Sequence, residues 1–397
     1  MSEILPFPTP TMPRVLEFFA GVGLARMGLQ QAGFKTVWAN DYSSQKAALY
    51  RAQFGDGGHY EVGNVFDVDG ATLPDAELAW ASSPCTDLSL AGQRTGLAGR
   101  ESNAFFGFTK ALREMGERRP QTIVLENVVG LASSHEGEDL AAVVREFNEL
   151  EYSCDVLALD ARRWVPQSRP RLFVVGHRGP NVPHAVGDDA GVRLDNLQRV
   201  FGDPTLLTHQ MPISAPPVPL TQGFGNITEQ IPLDDTRWWD DQRTAAFDAS
   251  LSPIQRERVE RLRSSPRTSY RTAYRRTRNG VPVWEVRPDD IAGCLRTARG
   301  GSSKQAVVRL GHGRMQVRWM TGVEYARLMG AGEYRIDGFR DSEVQFAFGD
   351  AVAVPAVGWL AEEYLLPLVT GVAAKQKDQT YVEPKHEHTS RRASAAR

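Results

Sequence analysis

Cysteine is scarce in this sequence: only Cys85, Cys154 and Cys294 occur in 397 residues. They lie far apart, without CxxC or histidine-rich spacing. A disulfide framework and a structural zinc site therefore have no support, and a reducing interior is the natural setting. Long apolar runs are also missing, and no stretch of about 20 residues has the composition of a membrane span. The first residues, MSEILPFPTPTMPR, lack the basic and apolar regions of a signal peptide. The expectation is a cytoplasmic protein with no membrane partner. Neither sign of charge dominates, with 46 basic and 48 acidic residues and a net charge of −2. That excludes a uniformly basic nucleic-acid binder and leaves room for a local basic face. The GKS/T signature of a phosphate-binding P-loop is absent, and no acidic cluster suited to magnesium is evident. The isolated HEH at His386–His388 is too short for a metal site, so no metal is expected.

What is present reads as alternating strands and helices. Arg14–Phe19 is an apolar strand that breaks at Ala20-Gly21-Val22-Gly23 and passes into a helical pattern over Leu24–Gly33. Strand, glycine turn and helix open a nucleotide-type βαβ unit, although such glycines are also common as turn formers alone. Lys35–Asn40 is the second strand, with Asp41 at its end, about 20 residues past the turn, where a carboxylate accepts ribose hydroxyls. Capping the next helix is the alternative role for Asp41. Tyr42 is placed to lie against a purine. Tyr60–Phe66 reads as a third strand containing Asn64, and Leu78–Ala81 as a fourth. Pro84 and Cys85 follow at the carboxyl edge, where ligands collect in open α/β sheets. A thiol there is a candidate nucleophile, while lone cysteines are also common core filler. Gln93–Ser102 is a glycine-rich polar loop. Phe105–Arg119 is helical, Thr122–Leu125 a strand leading to Glu126-Asn127-Val128, Leu140–Leu150 helical, Cys154–Leu159 a strand, and VPQSRPR precedes the strand Leu172–Gly176. This alternation predicts a doubly wound, mainly parallel α/β sheet.

From about Pro180 the periodicity weakens. Arginines crowd Arg256–Arg278 with Tyr270 and Tyr274 between them, and no acidic residue offsets Arg261–Arg278. A solvated helix face and a phosphate-contacting surface are the two readings, the second favoured by that imbalance. Leu295–Gln305 has paired glycines suited to a loop pressed onto a ligand. Thr321 with Glu324 forms a capping-box pattern, and Phe346–Val354 leads into an apolar helix ending near Leu368.

An adenosine-type pocket without triphosphate machinery, beside a thiol and a carboxyl group, points to S-adenosyl-L-methionine as the cofactor. FFAGVGLARMGL, SSPCTDLSLAG, VLENVVGL, PQSRPRLFVVG, TGVEYARLMG and FGDAVAVPAVG occur in this order. They resemble the successive blocks of the DNA (cytosine-5)-methyltransferases over Arg14–Gly176 and Trp319–Leu368. The resemblance implies an S-adenosylmethionine-dependent, Rossmann-like fold carrying a smaller, irregular target-recognition domain. The implied division is a lead-in at 1–13, a catalytic domain at 14–180 and 318–372, recognition at 181–317, and a disordered tail at 373–397.

The resemblance implies that Cys85 attacks C6 of a flipped-out cytosine and that Glu126 acts at N3. Asn127 braces the Cys85 loop, and Arg171 and Arg169 hold the base or a phosphate. Phe19, Gly21, Gly23, Leu24, Asp41, Tyr42, Asn64, Pro84, Asp350 and Val352 surround the cofactor. Ser89, Gln93, Arg275, Arg276, Arg299, Gly300 and Gly301 are candidates for contact with double-stranded DNA. Three positions depart from the family pattern. Thr86 replaces the usual glutamine or asparagine, Asn64 a common aspartate, and Asp350 the usual asparagine. The expected function is DNA cytosine-C5 methylation, as the modification partner of a bacterial restriction or phage-defence system. An RNA (tRNA) methyltransferase and a non-catalytic DNA-binding regulator are the rivals.

Overall fold

The computed structural model describes residues 12–84, 103–179, 191–278, 280–297 and 304–371. Seven strands form the main sheet: β1 (Arg14–Phe18), β2 (Lys35–Asp41), β3 (Tyr60–Val62), β4 (Leu78–Ser82), β5 (Thr122–Val128), β6 (Ser153–Asp160) and β7 (Pro170–His177). Their spatial order is β3-β2-β1-β4-β5-β7-β6. The pairs among β1 to β5 are parallel, whereas β7 runs antiparallel to both β5 and β6. The reversal follows from the chain: the link from Asp160 to Pro170 holds one 3₁₀ turn, Ala161–Arg163. A parallel return needs a crossover of about a dozen residues or more.

The strands are apolar on both faces because each face feeds a different core. Leu16, Phe18, Ala79, Ala81, Ile123 and Leu125 point into one cluster with Phe105, Phe108 and Phe147 of the helices α3 (Ala104–Met115) and α4 (Glu138–Glu149). Val15, Leu78, Trp80 and Val124 point to the other side. That face is covered by α1 (Leu24–Gln31) and by the C-terminal helices. Period-2 alternation between two buried faces is what a parallel sheet covered on both sides requires. Cys154 is fully buried in the first cluster, and burial pushes its thiol pKa up, so it is core filler.

The C-terminal segment returns beside the first glycine turn. A Cβ on Gly28 would lie 2.6 Å from Val357 Cβ and 2.7 Å from the Val354 carbonyl oxygen, so only glycine admits this approach of α1 to Val354–Leu360. The apolar helix expected after Val354 forms, with one π turn in it, and a shorter helix precedes it. Asp341–Gly349 stops, Asp350–Ala353 is non-helical, and Val354–Leu360 restarts with a proline in its first turn before a π turn at Ala361–Leu365. Asp341–Thr370 is long and apolar enough to span a membrane by composition, yet 67% of its most apolar window is buried in the protein.

The third strand is also shorter than expected. It ends at Val62, and Asn64 caps a 3₁₀ turn instead, its Oδ1 accepting from the Phe66 amide at 3.2 Å. A short amide side chain bonded to its own neighbouring backbone competes with strand pairing. The capping box forms as expected, with Glu324 N donating to Thr321 Oγ1 at 3.3 Å and Thr321 N to Glu324 Oε2 at 2.9 Å.

A second, antiparallel sheet has the order β11-β10-β8-β9, with β8 (Ser269–Arg278), β9 (Val281–Val286), β10 (Gln305–Gly311) and β11 (Arg314–Trp319). The arginine-rich stretch is therefore split between the helix Pro253–Arg263 and strand β8.

Glu17 on β1 is fully buried, and its Oε2 has no hydrogen-bond partner among the described residues. Burial raises its pKa to about 8, against the opposing pull of Arg26. The folded protein thus keeps this proton while the unfolded chain, with an ordinary carboxyl, has lost it. Stability from Glu17 is complete below the ordinary carboxyl pKa and is lost as pH rises through about 8. Each tenfold change in proton affinity is worth about 1.4 kcal/mol. Glu17→Gln is expected to flatten the fall in denaturant-derived stability between mildly acidic pH and about 8, worth a few kcal/mol over that window; an unchanged slope would show that Glu17 is ionised in the fold.

Candidate active site

The carboxyl edges of β4 and β5 bring the acid and its arginine together. Glu126 pairs in register with Ser82, three residues before Cys85, and is 4% exposed. Arg171 stands opposite Val128 on β7, and its Nε lies 3.0 Å from Glu126 Oε1. Burial raises the Glu126 pKa, while Arg171, then Arg169 and a hydrogen bond from Ser82, restrain the rise. The result is a carboxyl group that holds a proton more readily than usual and has a fixed cationic neighbour. Such a group can donate to a ring nitrogen and stabilise charge that develops there. Asn127 Nδ2 donates to the Ser83 carbonyl at 3.4 Å, which ties β5 to the chain just before Cys85. Cys85, Ser89, Gln93, Arg299, Gly300 and Gly301 lie outside the described residues.

Arg169 is not placed to hold a base or a phosphate. It is 1% exposed, and its guanidinium donates to Cys294 Sγ and to the carbonyls of Leu295, Gly349 and Ala351. These bonds fasten the catalytic strands to the segment before residue 298 and to the non-helical turn after Gly349. Burial lowers the Arg169 pKa, and the neighbouring Arg171 charge lowers it further. Cys294 lies beside these cations. Burial alone would raise its thiol pKa, but Arg169 and Arg171 bring it below the ordinary value. Gln167, fully buried, accepts from the Leu295 amide at 3.0 Å and donates to the Leu328 carbonyl at 2.8 Å. No sequence pattern marks these tethers, because their partners lie more than a hundred residues away.

At the ends of β1 and β2, Phe19, Gly21 and Gly23 all have positive φ angles, 55°, 54° and 75°. At Gly23 a Cβ would also meet Phe54 Cε2 at 2.4 Å and Tyr50 Cε2 at 2.7 Å, so the turn requires glycine twice over. The Gly21 amide donates to Asp41 Oδ2 at 2.9 Å, and the Ser43 amide to Asp41 Oδ1 at 2.9 Å. The cap of the helix α2 (Ser44–Phe54) is Ser43, not Asp41. The amide that a P-loop would aim at phosphate thus faces a carboxylate, which repels phosphate and leaves lone pairs for hydroxyls. Tyr42, next in sequence, is 61% exposed, an aromatic face presented beside that carboxylate. Carboxylate, open ring and glycine turn fit a nucleoside cofactor without phosphates. Tyr60, missed by sequence reading, holds the turn by donating to the Gly21 carbonyl at 3.0 Å.

The other expected cofactor neighbours divide. Pro84 lies two residues past the end of β4, and Asp350 is 46% exposed in the turn beside Lys46 of α2. Leu24 and Val352 have side chains sealed in the core at 1% and 3% exposure; they support the cleft without lining it.

Arg275 and Arg276 are successive residues of β8 and so point to opposite faces. The Arg276 Nε lies 3.0 Å from Glu285 Oε2 on β9, and Arg275 stands 5.8 Å from the Trp284 ring centroid. The missing acidic partner is supplied across the sheet, where the local sequence does not show it.

A sequence model described as C-5 cytosine-specific DNA methylase matches residues 13–365. Type II methyltransferase M.HhaI of Haemophilus parahaemolyticus is 30% identical over 166 residues, 42% of this chain and 49% of that protein. The chain therefore spans about half the length of curated relatives of this kind. Type II methyltransferase M1.ScrFI of Lactococcus lactis subsp. cremoris is 25% identical over 367 residues, 91% of this chain and 81% of the relative. Among solved structures, the S. pombe Dnmt2 methyltransferase superposes with a TM-score of 0.56 over 90% of this chain and 98% of that one. At 16% identity this is a likeness of fold. With the family pattern matched across nearly its whole length, the chain belongs to the C-5 cytosine-specific DNA methylases.

Proposed function

We propose that the protein methylates C5 of a flipped-out cytosine in a specific duplex DNA sequence, as the modification enzyme of a bacterial restriction or phage-defence system. The observation that carries this reading is Glu126: buried, raised toward its protonated form, paired with Arg171, and on the strand beside the one leading to Cys85. The Cys85 thiolate adds to C6, forming an S–C6 bond and moving the C5–C6 π electrons toward C5. Glu126 gives or shares its proton with N3, and Arg171 stabilises the carboxylate that results. S-adenosylmethionine, when bound near Asp41 and Tyr42, supplies an electrophilic methyl group for C5. Loss of the C5 proton to a base then expels the thiolate, restores the C5–C6 double bond and returns the N3 proton to Glu126. Flipping the base out of the duplex costs a few kcal/mol. In this reading 14–180 and 318–372 form the catalytic domain, 181–317 reads the target, and the protein works in the cytoplasm.

The test is incubation with methyl-labelled S-adenosylmethionine and either plasmid DNA or tRNA. Label in DNA alone is expected; label in RNA alone, or none with DNA still bound, would replace this reading with an RNA enzyme or a non-catalytic regulator. Bisulfite sequencing of DNA from expressing cells would identify the target site.

Removing the charges of Arg275 and Arg276 is expected to weaken DNA binding. Because the two face opposite ways, the slope of log affinity against log salt should fall by about one phosphate contact rather than two. An unchanged slope in a filter-binding titration would mean that neither side chain touches DNA.

A further inference from the structure

Lys46 lies beside the glycine turn, Asp41 and Asp350. It is only 7% exposed, and its Nζ lies 2.8 Å from Asp350 Oδ2. Its Cδ would be 3.8 Å from a Cβ on Gly21, so the stem runs along the glycine turn. Burial alone would lower the lysine pKa, but the carboxylates of Asp350 and Asp41 raise it, so the amine stays charged. Both Asp41 oxygens are already bonded to backbone amides. Among the described residues, the Lys46 ammonium makes a single hydrogen bond, to Asp350. An ammonium carries three N–H donors. A buried cation with donors to spare, beside a half-exposed anion, is an ion pair matched to a ligand that is itself a zwitterion.

We propose that Lys46 and Asp350 grip the amino-acid end of S-adenosylmethionine, Lys46 donating to its carboxylate and Asp350 accepting from its α-ammonium. This rests on the cofactor reading above. It accounts for the departure at Asp350: an extra negative charge in the cleft is neutralised by a lysine 304 residues away in sequence. It also divides the cleft, with Asp41 and Tyr42 serving the nucleoside and Lys46 and Asp350 serving the zwitterion.

Isothermal titration of the full chain tests this with three thioethers. S-adenosylhomocysteine keeps the whole amino acid, S-adenosyl-3-thiopropylamine lacks its carboxylate, and 5′-methylthioadenosine lacks it entirely. The wild type should prefer S-adenosylhomocysteine to the amine by about tenfold or more, the worth of one charge-assisted hydrogen bond. Lys46→Met and Lys46→Gln should erase that preference and leave 5′-methylthioadenosine affinity within about twofold, which also shows that the fold survives. Asp350→Asn should weaken the amine relative to 5′-methylthioadenosine. Equal losses for all three ligands, or an intact preference in both Lys46 variants, would make the pair a structural tether and overturn the proposal. If the wild type binds none of the three, the cofactor reading itself fails.

Discussion

Cys85→Ser is expected to eliminate methyl transfer, by at least about a thousandfold, while S-adenosylhomocysteine binding stays within about twofold of the wild type. A thiol with an ordinary pKa near 8.5 supplies thiolate at neutral pH, and a serine hydroxyl supplies almost no alkoxide. The C5 position of cytosine is a weak nucleophile until something adds at C6, so removing the adding group removes the reaction and not merely its speed. The proposed cofactor contacts, Asp41 and Tyr42 with Lys46 and Asp350, lie on elements other than the one leading to Cys85, which is why binding should survive. Labelled-methyl transfer and calorimetry on the same preparation separate the two effects. A DNA containing 5-fluorocytosine should crosslink to the wild type through residue 85 and not to the variant. Undiminished methylation by Cys85→Ser would overturn the assignment.

Glu126→Gln is the second large effect, expected to slow transfer by about 10²–10⁴-fold, the usual worth of a positioned proton donor. Glutamine keeps the shape but has no proton to transfer to N3. The pH dependence is the sharper readout. Burial raises the Glu126 pKa, so the protonated, competent form persists above the ordinary carboxyl range and is lost as pH rises through the displaced value. The wild-type single-turnover rate should carry that alkaline fall, set against the rise from Cys85 ionisation, and Glu126→Gln should lack it. The substitution also leaves the Arg171 guanidinium, 12% exposed, beside a neutral group. Arg171 keeps its bond to the Pro170 carbonyl, but the loss of this partner bears on stability, so thermal unfolding must be followed alongside. An unaltered pH profile in a folded variant would remove Glu126 from the chemistry.

Much of the site was legible locally. The glycine turn, Asp41 at the end of its strand, Tyr42 after it, and Glu126 closing an apolar run all follow from short patterns. Strand ends and tight turns are written by neighbouring residues. Arg169 shows where such reading stops. Its position two residues before Arg171 gives no hint that it is buried and tied to carbonyls at Leu295, Gly349 and Ala351. The acidic partner of Arg276 is hidden in a similar way, because Glu285 is close to it only across a sheet. Asn64 was misread for a local reason: its bond to Phe66 ends the strand early.

By itself the sequence determined the alternation of strands and helices, the two-faced burial of the parallel strands, and the family to which its ordered motifs point. These depend on periodicity and on residue chemistry within a few positions. Only the tertiary structure decided that β7 enters between β5 and β6 in the opposite direction, that the C-terminal helix breaks at Asp350, and that Lys46 meets Asp350. Contacts between residues hundreds of positions apart arise when buried faces dock, and their energy comes from packing and charge neutralisation that no local pattern encodes.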